Sequence, residues 1–285
     1  MTASREGGRI GPFALRMAAR AAVAYVAVAA VLYFRQSSFL FPAPKTWFKA
    51  APDVTFTDLR IPVKDGAYVH GWWIPSASSA KTILLFHGNG YVLQQMVGGE
   101  VESLHAIGAN LLLVDYRGYG SSTPLAPDEA TILDDARAAF DYLIRVRGIG
   151  AGSIWLLGRS IGSGPATQLA VDNPAVGGLI LESPFSSIDD AAVAVGYLRI
   201  FPVRPMLRTH FDNASKIGGV RAPVLIVAGT ADTLTPPWMA EKLFAAAHGP
   251  KRLYLVQNAG HNDLVATGGN ALTAALREAV GTPVP

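Results

Sequence analysis

Eight short segments with the hydrophobic pattern of β-strands follow one another along the chain after residue 52. The first, residues 53–63, alternates polar and apolar positions, and Asp65-Gly66 is a hairpin turn signal that leads into the second, residues 67–74. Short apolar runs, typical of strands buried on both faces, make up the other six, at residues 81–86, 111–114, 153–157, 177–181, 224–228 and 252–256.

Segments with helical spacing lie between these strands, at residues 91–107, 127–146, 165–171, 237–247 and 263–280, the last interrupted by Gly268-Gly269. Short strands that alternate with helices predict an α/β fold with a mostly parallel, eight-stranded sheet covered on both faces. The active site of such a sheet lies at the carboxyl ends of its strands. Chemically suggestive turns follow four predicted strands, after Phe86, Leu157, Ala228 and Val256.

The N-terminal part of the chain contains an uncharged run of fourteen residues, 21–34, preceded by Arg5, Arg9, Arg16 and Arg20. We predict a basic segment at 1–17, a membrane anchor helix at 18–36, a proline-containing linker at 37–52 and one domain at 53–285. The upstream arginines favour a cytoplasmic N-terminus, which places the domain on the non-cytoplasmic side. A cleaved signal peptide and a soluble or peripheral helix remain alternatives, although the small-x-small triplet 27–29 falls inside the run.

The amino-acid composition argues against several classes of function. The 285 residues are 50% hydrophobic, enough for one large domain with a sizeable core. The net charge is only +3, and the sequence has no long basic run interleaved with aromatic residues, so nucleic-acid binding is not indicated. The chain has no cysteine, which excludes disulfides, thiolate nucleophiles and cysteine-ligated metals.

Residues 158–162 read Gly-Arg-Ser-Ile-Gly and lie between a predicted strand and a predicted helix. In this Gly-x-Ser-x-Gly pattern a sharp turn holds the serine in a strained backbone conformation, with its side chain clear of the sheet. Glycine on either side removes Cβ atoms that would collide with the neighbouring backbone. We therefore predict that Ser160 is a nucleophile.

A serine hydroxyl needs a base, and that base needs an orienting carboxylate. Of six histidines, only His261 follows the end of a predicted strand near the C-terminus, and we predict that it is the base. Asp232, after the preceding strand, is the predicted acid, and Glu182 is its rival. Asp263 lies too close to His261 in sequence to orient it.

Backbone N–H groups must stabilise the negative charge that develops on the substrate oxygen. One is expected from Ile161, the residue after the nucleophile, and the other from the loop 87–90, His-Gly-Asn-Gly, after the third strand. We predict the N–H of Asn89, with Gly90 as second choice. The Asn89 side chain need not take part.

The chain from residue 53 onward resembles the α/β-hydrolase superfamily, on the motifs at 87–90, 115–120, 158–162, 181–185, 229–232 and 260–261. It looks most like the membrane-anchored serine hydrolases, which include protein depalmitoylases of the α/β-hydrolase-domain type and bacterial serine-aminopeptidase-like hydrolases. Residues 33–44 after the apolar run are also similar to that branch. The resemblance is specific for the fold and the triad, and it does not specify the substrate.

About forty residues, 185–222, separate the sixth and seventh strands, where α/β-hydrolases carry a lid. Residues 185–201 are apolar and predicted helical. The segment is basic, with Arg199 near the end of this run and Arg204, Arg208 and His210 after it. A small apolar and basic lid would admit an acyl chain; a solvated connecting helix is the alternative. The insert is too short for a large cap, which favours an open site for a small ester or thioester.

These observations predict a serine hydrolase that cleaves carboxylic ester or thioester bonds of acyl substrates through an acyl-enzyme, with no metal or organic cofactor. Two alternatives remain. One is a serine-aminopeptidase-like peptidase, for which the sequence shows no clear acidic cluster to hold an amino terminus. The other is a catalytically silent, membrane-tethered interaction module, which usually lacks a triad member, whereas none is missing here. The sequence indicates no oligomeric state.

Overall fold

A central β-sheet organises the computed structural model, which describes residues 11–44, 51, 53–77 and 80–281. Its strands are β1 Thr57–Pro62, β2 Tyr68–Ile74, β3 Thr82–Phe86, β4 Asn110–Asp115, β5 Ile154–Arg159, β6 Gly178–Glu182, β7 Val224–Gly229 and β8 Lys251–Val256. The strand order is β1-β2-β4-β3-β5-β6-β7-β8. Only the pairs β1–β2 and β2–β4 are antiparallel, so the predicted eight-stranded, mostly parallel sheet is confirmed.

Helices join the strands and cover both faces of the sheet. The α-helices are α1 Pro12–Leu40, α2 Glu100–His105, α3 Glu129–Asp141, α4 Ser163–Asp172, α5 Ile188–Ala194, α6 Val203–Met206, α7 Asn213–Lys216, α8 Pro237–Ala246 and α9 Leu264–Val280. A π-helical turn, Tyr142–Val146, continues α3, and the 3-10 turn Gly196–Ile200 lies between α5 and α6. The predicted lid region, residues 185–222, thus contains five short helical pieces, the last of which is the 3-10 turn Ile217–Gly219, and no sheet strand.

Two hydrophobic cores form because successive strand side chains point to opposite faces. In β3, Leu84 and Phe86 belong to one core, which also contains buried residues of α3, α4 and α8. Ile83 and Leu85 belong to the other, together with buried residues of α2 and α9. This explains why the central strands read as continuous apolar runs rather than alternating ones.

The expected helix at 91–107 is wrong as a single element. The segment forms a 3-10 turn, Leu93–Met96, and the separate short helix α2. Gly98 lies between them with φ of 86°, in the left-handed region, and Gly99 follows as the N-cap of α2. The apolar residues thus keep a helical spacing across Gly98 and Gly99, but these two glycines interrupt the helical backbone.

The N-terminal helix is longer than the segment predicted as an anchor. It extends from Pro12 to Leu40, so it begins within the predicted basic segment and runs four residues into the predicted linker; residues 1–10, 45–50 and 52 lie outside the described residues. Residues 12–28 are all exposed. From Ala29 onward one face becomes partly buried, at Ala29, Leu32, Gln36 and Leu40.

A group of buried charges lies at the C-terminal edge of β5 and β6. Arg159 donates a short hydrogen bond to Glu100, and both side chains are less than 10% exposed. Glu182 is buried beside them, paired in the sheet with Arg159. Burial, with the nearby charge of Glu100, raises the pKa of Glu182 to about 7, although the Arg159 charge opposes the rise.

Gly162→Ala is expected to destabilise the fold, because a Cβ at this position would collide with the Phe86 carbonyl oxygen at the end of β3. Backbone cannot move aside as easily as a side-chain tip, so the free energy of unfolding should fall by about 1–3 kcal/mol or more. Denaturant titration followed by tryptophan fluorescence measures the change. Gly150→Ala is the matched control, since no atom lies within 4 Å of its Cβ. Equal stability of the two variants would contradict this packing.

Glu182→Gln is expected to change how stability depends on pH. A folded-state pKa of about 7, above the ordinary 4.5, means that the folded protein binds a proton more tightly than the unfolded chain. The free energy of unfolding should therefore fall as pH rises through that window, by up to about 1 kcal/mol per pH unit. Glu182→Gln should lose this slope, and the exposed Glu241→Gln should keep it. Denaturant titrations across the window measure it, and an unchanged slope in Glu182→Gln would argue against the assignment.

Candidate active site

Ser160 lies at the turn between β5 and α4, at the centre of the sheet. Its φ is 51°, in the left-handed region that non-glycine residues rarely adopt. Gly158 and Gly162 permit this turn: a Cβ on Gly158 would collide with the Gly162 carbonyl oxygen and with the Ala166 side chain. The turn leaves Ser160 half-buried, with its hydroxyl pointing toward the loop after β8.

His261 follows β8 and bridges the serine and a carboxylate. Its Nε2 lies 2.9 Å from Ser160 Oγ, and its Nδ1 lies 2.8 Å from Asp232 Oδ2. In the neutral tautomer that satisfies both contacts, Nδ1–H donates to Asp232 and Nε2 accepts the serine proton. The histidine side chain is 12% exposed, so one edge of the ring remains accessible from outside.

Asp232 follows β7, and its side chain is fully buried. Its Oδ1 accepts hydrogen bonds from the backbone N–H groups of Leu234 and Thr235, both at 2.8 Å. Burial raises the pKa of this carboxyl group, but the hydrogen bond and charge of His261 and the bonds from Thr235 outweigh that effect and hold the pKa below its usual value. Asp232 is therefore ionised at neutral pH and oriented toward the imidazole.

Thr235 was missed by the reasoning from sequence. Its hydroxyl lies 2.8 Å from Asp232 Oδ2, 3.1 Å from the Ser183 carbonyl oxygen and 3.1 Å from His261 Nδ1. The side chain thus fixes the carboxylate in place between β6 and β8. The available signal was the Asp-x-x-Thr spacing, because an aspartate commonly accepts hydrogen bonds from residues two and three positions later.

The two other carboxylates considered as the acid have different partners. Glu182 belongs to the buried group with Arg159 and Glu100. Asp263 Oδ1 accepts a hydrogen bond from the Gly260 N–H at 2.6 Å, within its own loop. In the described part of the chain, the carboxylate bound to His261 is that of Asp232.

The two residues predicted to donate to the oxyanion belong to segments that adjoin Ser160. Ile161 occupies the 3-10 turn Ser160–Gly162 that opens α4, where the first N–H groups of a helix have no partner within it. Asn89 lies in the loop after β3, and this loop packs on the nucleophile, since a Cβ at Gly88 would lie 3.5 Å from Ser160 Cβ. The Asn89 side chain points elsewhere: its Nδ2 donates to the Leu40 carbonyl oxygen at 3.2 Å.

Buried side chains hold the loop 87–90 in place. Burial lowers the pKa of His87, so the ring stays neutral, with Nδ1 2.8 Å from the Gly88 carbonyl oxygen. The ring packs against both Tyr116 and Tyr119, and the Tyr116 hydroxyl donates to the His87 carbonyl oxygen at 3.1 Å. Two tyrosines of the motif at 115–120 therefore pack against the candidate oxyanion loop and hold it in place.

Comparison with known proteins agrees with this architecture. A family model described as the alpha/beta hydrolase fold matches residues 81–199. An uncharacterized protein of Mycobacterium tuberculosis strain H37Rv is 36% identical over 222 residues, which are 77% of each chain. The alpha/beta hydrolase domain-containing protein 17B of Xenopus laevis is 34% identical over 189 residues, 65% of this chain and 62% of that protein.

Among solved structures, the esterase Pf2001 of Pyrococcus furiosus superposes with a TM-score of 0.70 at 18% identity, covering 84% of this chain and 98% of that one. At this identity the likeness shows the fold alone. The eight-stranded sheet, the matching family model and the alpha/beta hydrolase domain-containing relative of Xenopus laevis together show that the chain belongs to the α/β-hydrolase superfamily.

Proposed function

We propose that the protein is a serine hydrolase that cleaves carboxylic ester or thioester bonds of acyl substrates. The observation that carries this proposal is the hydrogen-bonded series from Ser160 through His261 to Asp232, at 2.9 and 2.8 Å, with the serine on a strained turn. The fold and the esterase among its structural neighbours support hydrolysis in general.

In the proposed reaction, Ser160 Oγ attacks the substrate carbonyl carbon while its proton passes to His261 Nε2. The N–H groups of Asn89 and Ile161 stabilise the oxyanion of the tetrahedral intermediate. His261 then gives the proton to the leaving alcohol or thiol, and the acyl group stays on Ser160. Water, deprotonated by His261, attacks this acyl-enzyme, and collapse of the second intermediate releases the carboxylic acid and restores the serine hydroxyl.

The ionised Asp232 supports both halves of this reaction. It keeps the His261 proton on Nδ1, so that Nε2 faces the serine, and it stabilises the imidazolium that forms when the proton moves. The four hydrogen bonds that the carboxylate accepts, from His261, Leu234 and Thr235, fix its orientation before substrate arrives. Such preorganisation lowers the cost of reaching the transition state.

We further propose that α1 anchors the protein in a membrane, with the catalytic domain on the non-cytoplasmic side. By length and composition α1 is suited to cross a bilayer, with a mean hydropathy of 1.8 over its most apolar stretch. Residues 12–28 are exposed, including Phe13, Val23 and Val26, each more than 60% accessible. Exposed apolar surface on this scale favours a lipid environment.

Contacts of the middle of α1 with the lid favour an anchor over a removed signal peptide. The Tyr25 hydroxyl donates to the Ile200 carbonyl oxygen at 2.9 Å, and the Tyr25 ring stacks on Phe201 with ring centres 4.9 Å apart. Cleavage after the small-residue triplet 27–29 would remove Tyr25 and these contacts with the lid.

A fluorophosphonate probe is expected to label wild-type protein at Ser160 and to leave Ser160→Ala unlabelled, because only an activated serine reacts rapidly with it. Ester hydrolysis by Ser160→Ala should fall about a million-fold, and Asp232→Asn should lose about ten-thousand-fold by disturbing the histidine tautomer. Labelling is read by mass spectrometry, and turnover with p-nitrophenyl and thioester substrates.

Ser121→Ala, which changes an exposed serine, is the matched control and should behave as wild type. Aminoacyl-anilides tested in parallel separate the ester hydrolase from a peptidase. An unlabelled wild type with the same residual turnover as Ser160→Ala would overturn the proposed function, as would faster anilide than ester cleavage.

Membrane fractions of cells that express the full chain are expected to retain it after alkaline carbonate extraction, with an N-terminus that precedes Ala27. Val26→Arg should weaken retention, because a charge near the centre of a spanning helix costs about 2.5–3.5 kcal/mol, whereas Val26→Leu should not. Since the chain has no cysteine, Ser121→Cys reports the side of the domain by labelling with an impermeant maleimide. Recovery of a soluble, shortened chain would exclude the anchor, and protection of the cysteine would reverse the orientation.

A further inference from the structure

Arg159 belongs to the turn that carries the nucleophile, yet it has no part in the reaction described above. It lies directly before Ser160, and its side chain is only 7% exposed. Its guanidinium donates a short hydrogen bond to Glu100 at the start of α2. Burial lowers the pKa of Arg159, but the charges of Glu100 and Glu182 outweigh burial and raise the pKa above its ordinary value. A charged group is therefore buried one residue from the nucleophile, where it needs partners.

A second partner of Arg159 is the ring of Tyr91, the residue that follows the candidate oxyanion loop, 87–90. The guanidinium carbon lies 5.3 Å from the centre of this ring. An arginine within about 6 Å of an aromatic ring centre is attracted to the ring face, most strongly where water is excluded. Arg159 thus joins the residue after the loop to the strand that ends at the nucleophile.

Tyr91 in turn contacts the loop. Its N–H donates to the Gly88 carbonyl oxygen at 3.3 Å, which closes a turn over the two residues between them. A Cβ at Gly88 would lie 3.6 Å from the Tyr91 ring and 3.5 Å from Ser160 Cβ. Gly88 therefore lies close to both the ring and the nucleophile, so a shift of the ring would change the distance from the loop to Ser160.

The two ends of the loop are held by different side chains. His87 at its start packs against two buried tyrosines, and Tyr91 holds its end. Between them, the Asn89 side chain is bound to Leu40, whereas a Cβ at Gly90 would have no atom within 4 Å. Because glycine backbone has the most conformational freedom, the position of this loop depends on the contacts at its ends.

We propose that Arg159 is a positioning residue of the reaction: by holding the Tyr91 ring, it keeps the loop 87–90 at the distance from Ser160 at which the Asn89 N–H reaches the oxyanion. The inference rests on the proposed function and adds a residue to it. Arg159 acts through Tyr91 and not on the substrate, and Glu100 fixes the direction of the guanidinium. The contribution is made in the transition state, because the full negative charge develops only there.

Tyr91→Leu tests the proposal, because it removes the ring that Arg159 contacts and keeps an apolar side chain. The full chain in phospholipid vesicles would be assayed with p-nitrophenyl acetate. In Tyr91→Leu, kcat should fall about ten- to a hundredfold with KM little changed, since a small displacement of a catalytic group costs up to about a hundredfold. Tyr91→Phe keeps the ring face and should retain the wild-type kcat.

A trifluoromethyl ketone inhibitor reports the oxyanion donors directly. Ser160 Oγ adds to its carbonyl carbon, the serine proton passes to His261, and the oxygen of the adduct carries the negative charge. In Tyr91→Leu the inhibition constant should rise by about the factor by which kcat/KM falls, because both depend on the same donors. A role of Tyr91 in stability alone would reduce the amount of active protein and leave the inhibition constant unchanged.

Tyr142→Leu is the matched control. Tyr142 is also half-buried and also lies against an arginine, with the Arg147 guanidinium carbon 5.8 Å from its ring centre, but it belongs to the π-helical turn after α3. This variant should retain the wild-type kcat and inhibition constant. Thermal unfolding of each variant separates a slow enzyme from an unfolded one.

Arg159→Lys provides a second route to the same contact. Lysine keeps a positive charge for Glu100 but lacks the planar group that stacks on a ring, so kcat should fall again with KM little changed. The double variant Arg159→Lys/Tyr91→Leu should be no slower than the slower single variant, because both changes break one contact. If Tyr91→Leu does not fold, the kcat of Arg159→Lys decides the question.

Three results would overturn the proposal while ester hydrolysis stands. They are a wild-type kcat in folded Tyr91→Leu or in Arg159→Lys, an equal loss of kcat in Tyr142→Leu, and losses that multiply in the double variant. If wild type shows no turnover that depends on Ser160, the proposed function itself fails, and this inference fails with it.

Discussion

Three backbone segments approach one another closely around Ser160, and the arrangement of the candidate site depends on this contact. Gly162 packs against the carbonyl oxygen of Phe86 at the end of β3, and Gly158 packs against α4. Because the end of β3 is held against the turn, the loop 87–90 that follows must begin beside the nucleophile. The strained conformation of Ser160 and the position of the candidate oxyanion loop are thus consequences of the same packing.

Two buried carboxylates near this turn have pKa values shifted in opposite directions because their surroundings differ. Asp232 accepts hydrogen bonds from two backbone N–H groups, a hydroxyl and an imidazole, so its charge is favoured despite burial. Glu182 is equally buried, but the Arg159 guanidinium beside it is already bound to Glu100. Burial, together with the charge of Glu100, therefore raises the pKa of Glu182. The charge that a triad needs is therefore available at Asp232, and Glu182 is suited to a structural role beside Arg159.

The pattern of apolar residues and glycines predicted much of this structure, because strands and tight turns depend on residues that are close in sequence. A continuous apolar run is sufficient to indicate a central strand, and the turn at 158–162 carries its own glycines. Long-range partners gave no such signal. The bond of Asn89 to Leu40, the bonds of Gln36 to the lid and the contact of Thr235 with Ser183 join residues 49 to 172 positions apart. Only the folded chain brings them together.

The docking of α1 links the proposed anchor to the proposed chemistry. The helix has 29 residues, about 44 Å, and its exposed part, residues 12–28, corresponds to about 25 Å, close to the roughly 30 Å hydrocarbon core of a bilayer. Its exposed N-terminal part is long enough to reach well into lipid while its last turns stay bound to the lid and to Asn89. With those turns fixed, the catalytic domain has no free rotation about a flexible tether. The tilt of α1 would then set how the candidate active site faces the membrane surface.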